Sequence, residues 1–362
     1  MLTIQQDPIL VLDTGRFTVY AIVFHPDGIH LLSGNDDGIQ RWRLEDGQEV
    51  RKQAGMVVGS ISVSRDHKWT VCGNTKGASV WDAELRGKVI DVEGTKMVYA
   101  VDVSPDSTSF ATGSDEEASI WGISSGERLV GPLKHDRDVT GIKFSPNGEH
   151  VATACRGSAI RIFDSHTGDW LITIDTITPG WAPTIPLLWS DDGQQIFAAS
   201  EDNKIQSFRV STGSQLAESQ ILNDDGNNIQ SIALATNGKF LATYAGEVIT
   251  FLDTSTLSQI VPVVKDSGTM DSIALSPDRR YIATGGRDGK ITVRELGRIL
   301  PDFYGPFRVS IWPAFCHPGR LTMLAVYCRA TTTSRATSDL GQPRRRTTRL
   351  HSGLFGHQSD LR

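Results

Sequence analysis

Two stretches of the sequence have residues spaced as in sites for phosphate or calcium. Gly285–Thr292 (GGRDGKIT) resembles a glycine-rich nucleotide loop, but Ile291 follows Gly-Lys where that loop needs a Ser or Thr hydroxyl. Asn223–Asn228 (NDDGNN) resembles the start of a calcium loop but lacks the closing glutamate. We therefore predict that both stretches are polar turns without a ligand.

Residues that could act as nucleophiles, acids, bases or metal ligands are scattered. The sequence contains neither H-E-x-x-H nor G-x-S-x-G, and its four cysteines show no C-x-x-C spacing. Cys72 and Cys155 lie in apolar stretches typical of buried free thiols, and Cys316 and Cys328 lie near the C-terminus. The histidines near turns stand singly: His25, His30, His67, His150 and His166. We predict that the protein is not an enzyme and binds no cofactor or metal.

Composition indicates a soluble globular protein, since 39% of the 362 residues are hydrophobic and 22% are charged. No apolar run approaches the ~20 residues of a membrane-spanning helix. The first residues show no basic segment before an apolar run, and the chain has no Asn-x-Ser/Thr acceptor. We predict a cytoplasmic or nuclear protein with no membrane partner.

One hairpin recurs seven times along the chain. Its first strand ends in an apolar anchor residue, which an S-P-D-G-like turn follows. The anchors are Phe24, Val63, Val103, Phe144, Trp189, Leu234 and Leu275, so subtraction gives spacings of 39, 40, 41, 45, 45 and 41 residues. An aliphatic residue stands two positions before every anchor, which is typical of a strand with one face in a core. After this turn come a second, a third and a fourth strand-like stretch, separated by further turns. Each repeat is therefore predicted to be a four-stranded antiparallel meander.

These repeats resemble the WD-repeat (β-transducin-like) family, whose blades contain ~40–45 residues. The pair that names the family survives as Trp81-Asp82, with Trp alone at Trp42 and Trp121 and a Phe-Asp pair at Phe163. The resemblance implies an all-β fold, a seven-bladed β-propeller over residues 1–297 that an N-terminal strand at 8–15 closes. The predicted blade units lie near 16–55, 56–95, 96–136, 137–180, 181–225, 226–266 and 267–297.

The family's blades are stabilised by a hydrogen-bond network of a His before the first strand, a Ser or Thr on the second, an Asp in the next turn and a Trp on the third. No repeat here has all four residues. We assign structural roles in turns or in partial networks to Asp37, Asp202, Asp288, His135, Thr153, Trp42, Trp81 and Trp121. Packing is therefore expected to carry more of the stability than in regular members.

The resemblance further implies that partners bind the loops entering the first strands and the turns joining the second and third. Tyr20, Tyr99, Gln230 and Asp271, each four residues before its anchor, are predicted to lie on this face. The turns that join second and third strands should place four more residues around them: Asp115, Arg156, Glu201 and Arg287. Asn228 and Trp181 lie in two lengthened entering loops of the same face. Trp181 is either a binding contact or a plug between two blades. This mixture of aromatic and charged groups suits a protein or peptide partner.

The C-terminal part, residues 298–362, differs in composition. It contains ten Arg and three Asp but no Lys or Glu, a net charge of +7, so residues 1–297 carry −6 − 7 = −13. We predict a basic tail that is largely disordered, and an out-of-frame or intron-derived end is a second interpretation. Its PRRRTTR stretch (343–349) could act as a nuclear signal or bind nucleic acid.

Three functions remain open from the sequence. The first is a non-catalytic scaffold that binds a protein or peptide on its loop face. The second is a nucleic-acid-associated protein that uses the Arg-rich tail, because the acidic body is a poor ligand for nucleic acid. The third is an enzyme that uses the central channel. Repeats as irregular as these also resemble the propellers of fungal WD-repeat proteins.

Overall fold

The computed structural model describes residues 3–93, 96–155, 159–175, 186–200, 202–221, 229–266, 268 and 270–301. The predicted site residues Arg156, Trp181, Glu201 and Asn228 lie outside the described residues, as do positions 302–362 of the tail.

The recurring S-P-D-G-like signature forms the turn between the first two strands. In the second repeat, Ser64 Oγ donates to Asp66 Oδ1 at 2.6 Å and accepts the Trp69 amide at 2.9 Å. The third, fourth, fifth and seventh repeats use the same pair of bonds. Because the Ser hydroxyl ties both ends of the turn together, it fixes the register of the hairpin.

The described strands form seven sheets, the blades, in which consecutive strands pair antiparallel. Blade 1 contains β3 Ala21–Phe24, β4 His30–Asn35, β5 Gly38–Arg43 and β6 Glu49–Ala54. Blade 2 contains β7 Val58–Val63, β8 Trp69–Asn74, β9 Gly77–Asp82 and β10 Lys88–Glu93. Blade 3 contains β11 Val98–Val103, β12 Ser109–Ser114, β13 Glu117–Gly122 and β14 Arg128–Lys134. Blade 4 contains β15 Val139–Phe144, β16 His150–Cys155, β17 Ile160–Asp164 and β18 Trp170–Ile174.

The last three blades follow the same order. Blade 5 contains β19 Leu187–Trp189, β20 Gln195–Ala199, β21 Lys204–Arg209 and β22 Gln215–Gln220. Blade 6 contains β23 Ile229–Leu234, β24 Phe240–Ala245, β25 Val248–Asp253 and β26 Val263–Lys265. Blade 7 contains β27 Met270–Leu275, β28 Tyr281–Gly286 and β29 Lys290–Glu295. Each first strand contacts the first strand of the next blade, and β27 contacts β3, so the blades form a closed ring.

The core lies between neighbouring blades. Ile142 and the anchor Phe144 of blade 4 are buried in one cluster with Ala100 and Val130 of blade 3. Small residues keep these blades close, since a Cβ at Gly113 would lie 2.7 Å from the Val139 carbonyl oxygen. The alternation of apolar and small residues in the first two strands therefore encodes the packing of one blade on the next.

The N-terminal segment closes the ring, as predicted. Its strand β2 (Leu10–Asp13) pairs antiparallel with β29 and so becomes the fourth strand of blade 7. Before it, β1 (Thr3–Gln5) pairs parallel with β26 and adds a fifth strand to blade 6, which the sequence did not predict. Residues 3–14 thus connect two blades before the chain enters a third.

The propeller continues beyond the boundary predicted at residue 297. Helix α1 (Leu296–Ile299) follows β29 directly, and Ile299 and Leu300 are buried in one cluster with Phe251 of blade 6. The boundary was placed too early because the Arg-rich composition hid two apolar residues that pack on the ring. In the described part of the chain, no helix is long and apolar enough to cross a membrane.

Candidate partner-binding face

The predicted face residues come together in pairs at one end of the ring. Tyr20 Oη donates to Asp36 Oδ1 at 2.9 Å, and Tyr99 Oη donates to Asp115 Oδ1 at 3.0 Å. In blade 7, Arg287 Nε lies 3.2 Å from Asp271 Oδ2. Each pair joins the start of a first strand to the turn between second and third strands of the same blade. The partners are sixteen residues apart in all three cases.

A central cavity of about 340 Å³ opens at these pairs, and first-strand residues of all seven blades line it. Its walls include Tyr20, Tyr99, Gln230 and Asp271, the four residues predicted from their distance to the anchors. We call this end of the cavity, with Asp36, Asp115 and Arg287 around it, the channel mouth. The structure therefore brings together the described members of the predicted face.

Burial raises the pKa of two ionisable groups at the channel mouth, Asp271 and Tyr20. Burial raises the pKa of Asp271, and the charge and hydrogen bond of Arg287 oppose this shift only in part. Burial and the hydrogen bond to Asp36 raise the pKa of Tyr20, which keeps the phenol protonated. Tyr20 is 38% exposed, so the mouth offers a large aromatic surface with fixed polar groups. Such a surface is suited to binding, since aromatic side chains provide contact area at a low entropy cost.

The opposite end of the channel holds an ionic chain that sequence reasoning missed. Lys143 Nζ lies 2.8 Å from Asp102 Oδ1, and Ser62 Oγ donates to the same oxygen at 3.3 Å. These residues come from blades 4, 3 and 2, and each stands one position before its anchor. The sequence pattern that could have predicted it is a Ser, an Asp and a Lys one position before the anchor in three consecutive repeats. Their bonds join three blades through the channel wall.

The residues assigned to turns and networks occupy three kinds of position. Trp42 Nε1 donates to Ser33 Oγ and Trp121 Nε1 donates to Thr112 Oγ1, both at 2.9 Å. In blade 4, His135 Nε2 lies 2.8 Å from Thr153 Oγ1. The turn residues behave differently: Asp37 pairs with Lys52, Asp202 accepts from Ser200, and Asp288 accepts the Lys290 amide. Blades 1 and 3 thus contain the hydrogen bond between Trp and hydroxyl, and blade 4 contains the one between His and hydroxyl.

Blade 7 builds this network from other residue types. Asp266 replaces the His and Arg294 replaces the Trp, with Thr284 at the usual hydroxyl position. Arg294 lies 2.8 Å from both carboxylate oxygens of Asp266, and Thr284 Oγ1 donates to Oδ2 at 2.7 Å. The Asp266 side chain is 0% exposed and that of Arg294 is 3% exposed. Arg294 Nε also donates to the Gln6 carbonyl oxygen at 3.2 Å, which ties the N-terminal segment to the network.

Blade 2 lacks the network acceptor. The register places Cys72 where blades 1 and 3 have Ser33 and Thr112. Trp81 is therefore buried with no hydrogen-bond partner for its Nε1 among the described residues. Burial also raises the pKa of Cys72, which identifies an inert core thiol. The predicted burial of Cys72 and Cys155 is confirmed.

Three histidines expected to stand singly near the surface instead form a cluster with Asp27. His25 is only 3% exposed, and its Nδ1 lies 2.9 Å from Asp27 Oδ2, which His30 Nδ1 also approaches to 2.7 Å. The His67 ring lies 5.8 Å from that of His25. Burial acts to raise the pKa of Asp27, but hydrogen bonds from His25 and His30 hold it well below its usual range. Within the described residues, no group of three or more His, Cys, Asp or Glu is arranged to hold a metal ion.

Comparisons with known proteins agree with this architecture. The family model "WD domain, G-beta repeat" matches residues 7–42, 87–122 and 263–294, and "Anaphase-promoting complex subunit 4 WD40 domain" matches 114–184. A solved β-propeller domain of Cps50 (Swd1) from Myceliophteria thermophila superposes with a TM-score of 0.68 at 19% identity, covering 79% of this chain and 98% of that chain.

Three curated relatives show the range of similar proteins. Serine-threonine kinase receptor-associated protein of Gallus gallus is 26% identical over 213 residues, which is 58% of each chain. Eukaryotic translation initiation factor 3 subunit I of Candida albicans is 24% identical over 69% of this chain and 78% of its own. Small ribosomal subunit protein RACK1 of Caenorhabditis elegans is 32% identical over 41% of this chain and 48% of its own. The matches thus span just over half of the first relative and under half of the third.

The matched repeats recur along the chain, and the blades close into a seven-membered ring; the solved domain is likewise a β-propeller. The chain is a seven-bladed β-propeller that contains WD repeats.

Proposed function

We propose that this protein is a non-catalytic scaffold that holds a protein or peptide partner at the channel mouth. The observation that carries the proposal is the convergence of the three side-chain pairs, led by Tyr20, Tyr99 and Asp271, around one cavity. The relatives support the class of function, because their names place them with a receptor kinase, an initiation factor and a ribosomal subunit. The described residues of the channel mouth supply fixed hydrogen-bond partners and do not form a catalytic set.

The electrostatics of the ring favour a basic partner segment. Residues 1–297 carry −6 − 7 = −13, and among the described residues the channel mouth has three carboxylates, Asp36, Asp115 and Asp271. Two cations lie beside them, Arg287 at Asp271 and Lys96, whose Nζ donates to the Asp115 carbonyl oxygen at 3.1 Å. Such a field raises the association rate of positively charged ligands and is weakened by salt. A lysine- or arginine-bearing peptide is therefore the partner class that we propose. We also propose that the complex forms in the cytoplasm or nucleus, which fractionation of the source cells would test.

Affinity capture from the source cells, followed by mass spectrometry, tests this proposal. The full chain is compared with a double variant of the mouth, Tyr99→Ala with Asp271→Ala. The matched control is Lys68→Ala with Glu149→Ala, which removes two exposed residues from turns at the other end of the strands. We expect proteins that the control retains and the mouth variant loses, at equal melting temperature. Identical captures from all three proteins would show that the channel mouth is not the binding face.

A further inference from the structure

Two of the turns between first and second strands contain an asparagine where the others contain an aspartate. In five blades the third residue of this turn is an Asp whose Oδ1 accepts the amide two residues further on. These residues are Asp27, Asp66, Asp106, Asp192 and Asp278. Blades 4 and 6 have Asn147 and Asn237 instead, and a glycine follows each of them. An Asn before Gly can cyclise, because glycine has no side chain to shield its backbone nitrogen.

The two Asn-Gly turns have the same backbone arrangement. The Gly148 amide donates to the Ser145 carbonyl oxygen at 2.9 Å, and the Gly238 amide donates to the Ala235 carbonyl oxygen at 2.8 Å. The φ angles of the two glycines are 78° and 63°. In each turn the Asn Oδ1 accepts the amide two residues further on, at 3.2 Å in blade 4 and 3.1 Å in blade 6. A difference in reactivity between the two sites therefore arises from the side chains around them.

Asn147 is held at both ends of its carboxamide. Ser145 Oγ donates to Asn147 Oδ1 at 2.7 Å, and Asn147 Nδ2 donates to Glu149 Oε2 at 2.7 Å. Ser145 Oγ also accepts the His150 amide at 2.9 Å, which closes the turn. The negative charge of Glu149, directly after Gly148, opposes loss of the glycine amide proton.

Asn237 has neither restraint. Ala235 stands where blade 4 has Ser145, and Lys239 stands where it has Glu149. Among the described residues, the Lys239 amide is the one hydrogen-bond partner of the Asn237 side chain. The positive charge of Lys239 favours the anion that must form at the preceding amide nitrogen. The Asn237 carboxamide can therefore turn toward the Gly238 nitrogen whenever the turn opens.

We propose that Asn237 is a site of spontaneous deamidation in the native protein and that Asn147 is protected from it. Hydroxide removes the Gly238 amide proton, and the nitrogen forms a bond to Asn237 Cγ. The bond between Cγ and Nδ2 then breaks, and the leaving nitrogen takes a proton from water and departs as ammonia. Water adds to either carbonyl of the cyclic imide and opens it to aspartate or to isoaspartate.

The two products differ in their effect on the ring. Aspartate at position 237 reproduces the turn of the five Asp-containing blades. Isoaspartate adds one methylene group to the backbone of a turn that lies close to blade 5, since a Cβ at Gly238 would be 3.1 Å from Asp191 Oδ2. The turn lies at the end of the strands opposite the channel mouth, so the modification is independent of the proposed partner face.

The test follows both asparagines in the same full-length protein. Incubation at mildly alkaline pH in water enriched in heavy oxygen labels the deamidation that occurs in the native state, and mass spectrometry of peptides measures it. The rate of each site in urea, divided by its native rate, gives a protection factor that is corrected for local sequence. We expect protection of Asn237 to be at least about tenfold weaker than that of Asn147, the factor for ~1.4 kcal/mol of lost hydrogen bonding. Asn147 is exposed and Asn237 half-buried, so exposure alone predicts the opposite order.

Exchanged side chains identify the cause. Ala235→Ser with Lys239→Glu gives blade 6 the restraints of blade 4 and should slow deamidation of Asn237 at least about tenfold, with Asn147 as the unchanged internal control. Ser145→Ala with Glu149→Lys should accelerate deamidation of Asn147. The blade 6 variant adds bonds, so the test does not depend on the folding of the blade 4 variant. Equal protection of the two sites, faster reaction of Asn147, no reaction of native Asn237, or an unchanged Asn237 rate in the blade 6 variant would each overturn the proposal.

Discussion

The buried ion pair of blade 7 gives the most direct test of how this ring is stabilised. Asp266 and Arg294 are almost completely buried, and their two bonds of 2.8 Å form where related blades carry a His and a Trp. Asp266→Ala would leave the guanidinium of Arg294 buried with only Thr292 Oγ1 and the Gln6 carbonyl oxygen as acceptors.

An uncompensated charge of this kind typically costs about 3–5 kcal/mol of folding free energy. A domain is stable by only about 5–15 kcal/mol, so the loss should lower the urea midpoint sharply. Because Arg294 also holds the Gln6 carbonyl, we expect the N-terminal segment to become sensitive to protease in the same variant. The assay is urea unfolding of the full chain followed by tryptophan fluorescence, with limited proteolysis at low urea.

The double variant Asp266→His with Arg294→Trp is the control. It removes both charges and rebuilds the His–Thr–Trp arrangement around Thr284, so its stability should lie within about 1–2 kcal/mol of the parent. The single variant Arg294→Trp leaves a buried carboxylate and should be as damaging as Asp266→Ala. A loss under about 1 kcal/mol for Asp266→Ala, or equal losses for single and double variants, would refute this account of the pair.

Three other predictions concern single side chains. Cys72→Thr should raise the free energy of unfolding by about 1 kcal/mol by giving Trp81 Nε1 an acceptor, while Cys72→Val should not; equal urea midpoints would contradict the missing-acceptor argument. Burial raises the pKa of Asp271, so its ionised form costs stability above that pKa and the cost is relieved as pH falls through it. Asp271→Asn should therefore raise the melting temperature at neutral pH, with a difference that shrinks on acidification; a difference that grows would show that the Arg287 bond dominates. Burial also raises the pKa of Cys155 to about 12, so iodoacetamide at about pH 8 should label it in urea and not in the native protein, as peptide mass spectrometry would show.

The ring could be predicted because the information is local and repeated. The anchor, the aliphatic residue two positions before it and the S-P-D-G-like turn each have a short-range cause, and seven copies of the hairpin exclude coincidence. The N-terminal strand was predicted from a missing fourth strand in the last repeat. Strand β1 and helix α1 could not be found in this way, because neither belongs to the repeat and both are held by long-range packing on blade 6.

The sequence predicted which residues lie at the channel mouth but not which side chains pair with each other there. Counting back from the anchors placed Tyr20, Tyr99 and Asp271 at one cavity, yet the sixteen-residue pairing with the next turn became visible only with the strands in register. The search for His and Trp in the network overlooked Asp266 and Arg294, which satisfy the same positions with opposite charges. At these two positions, residue type failed to identify the network, whereas the distance from the anchor would have identified it.

The irregular repeats also show which position of a blade tolerates a change of side chain. A position that donates its amide to the neighbouring turn is fixed by the backbone, so its side chain can change while the blade survives. In this chain that side chain is an imidazole in blade 4, a carboxylate in blade 7 and absent at Gly55. The first two use their polar groups inside the blade, whereas Gly55 has none, and the buried Trp81 Nε1 of blade 2 has no hydrogen-bond partner among the described residues. If stability alone had shaped blade 2, a hydroxyl at Cys72 would satisfy that donor at no cost in space.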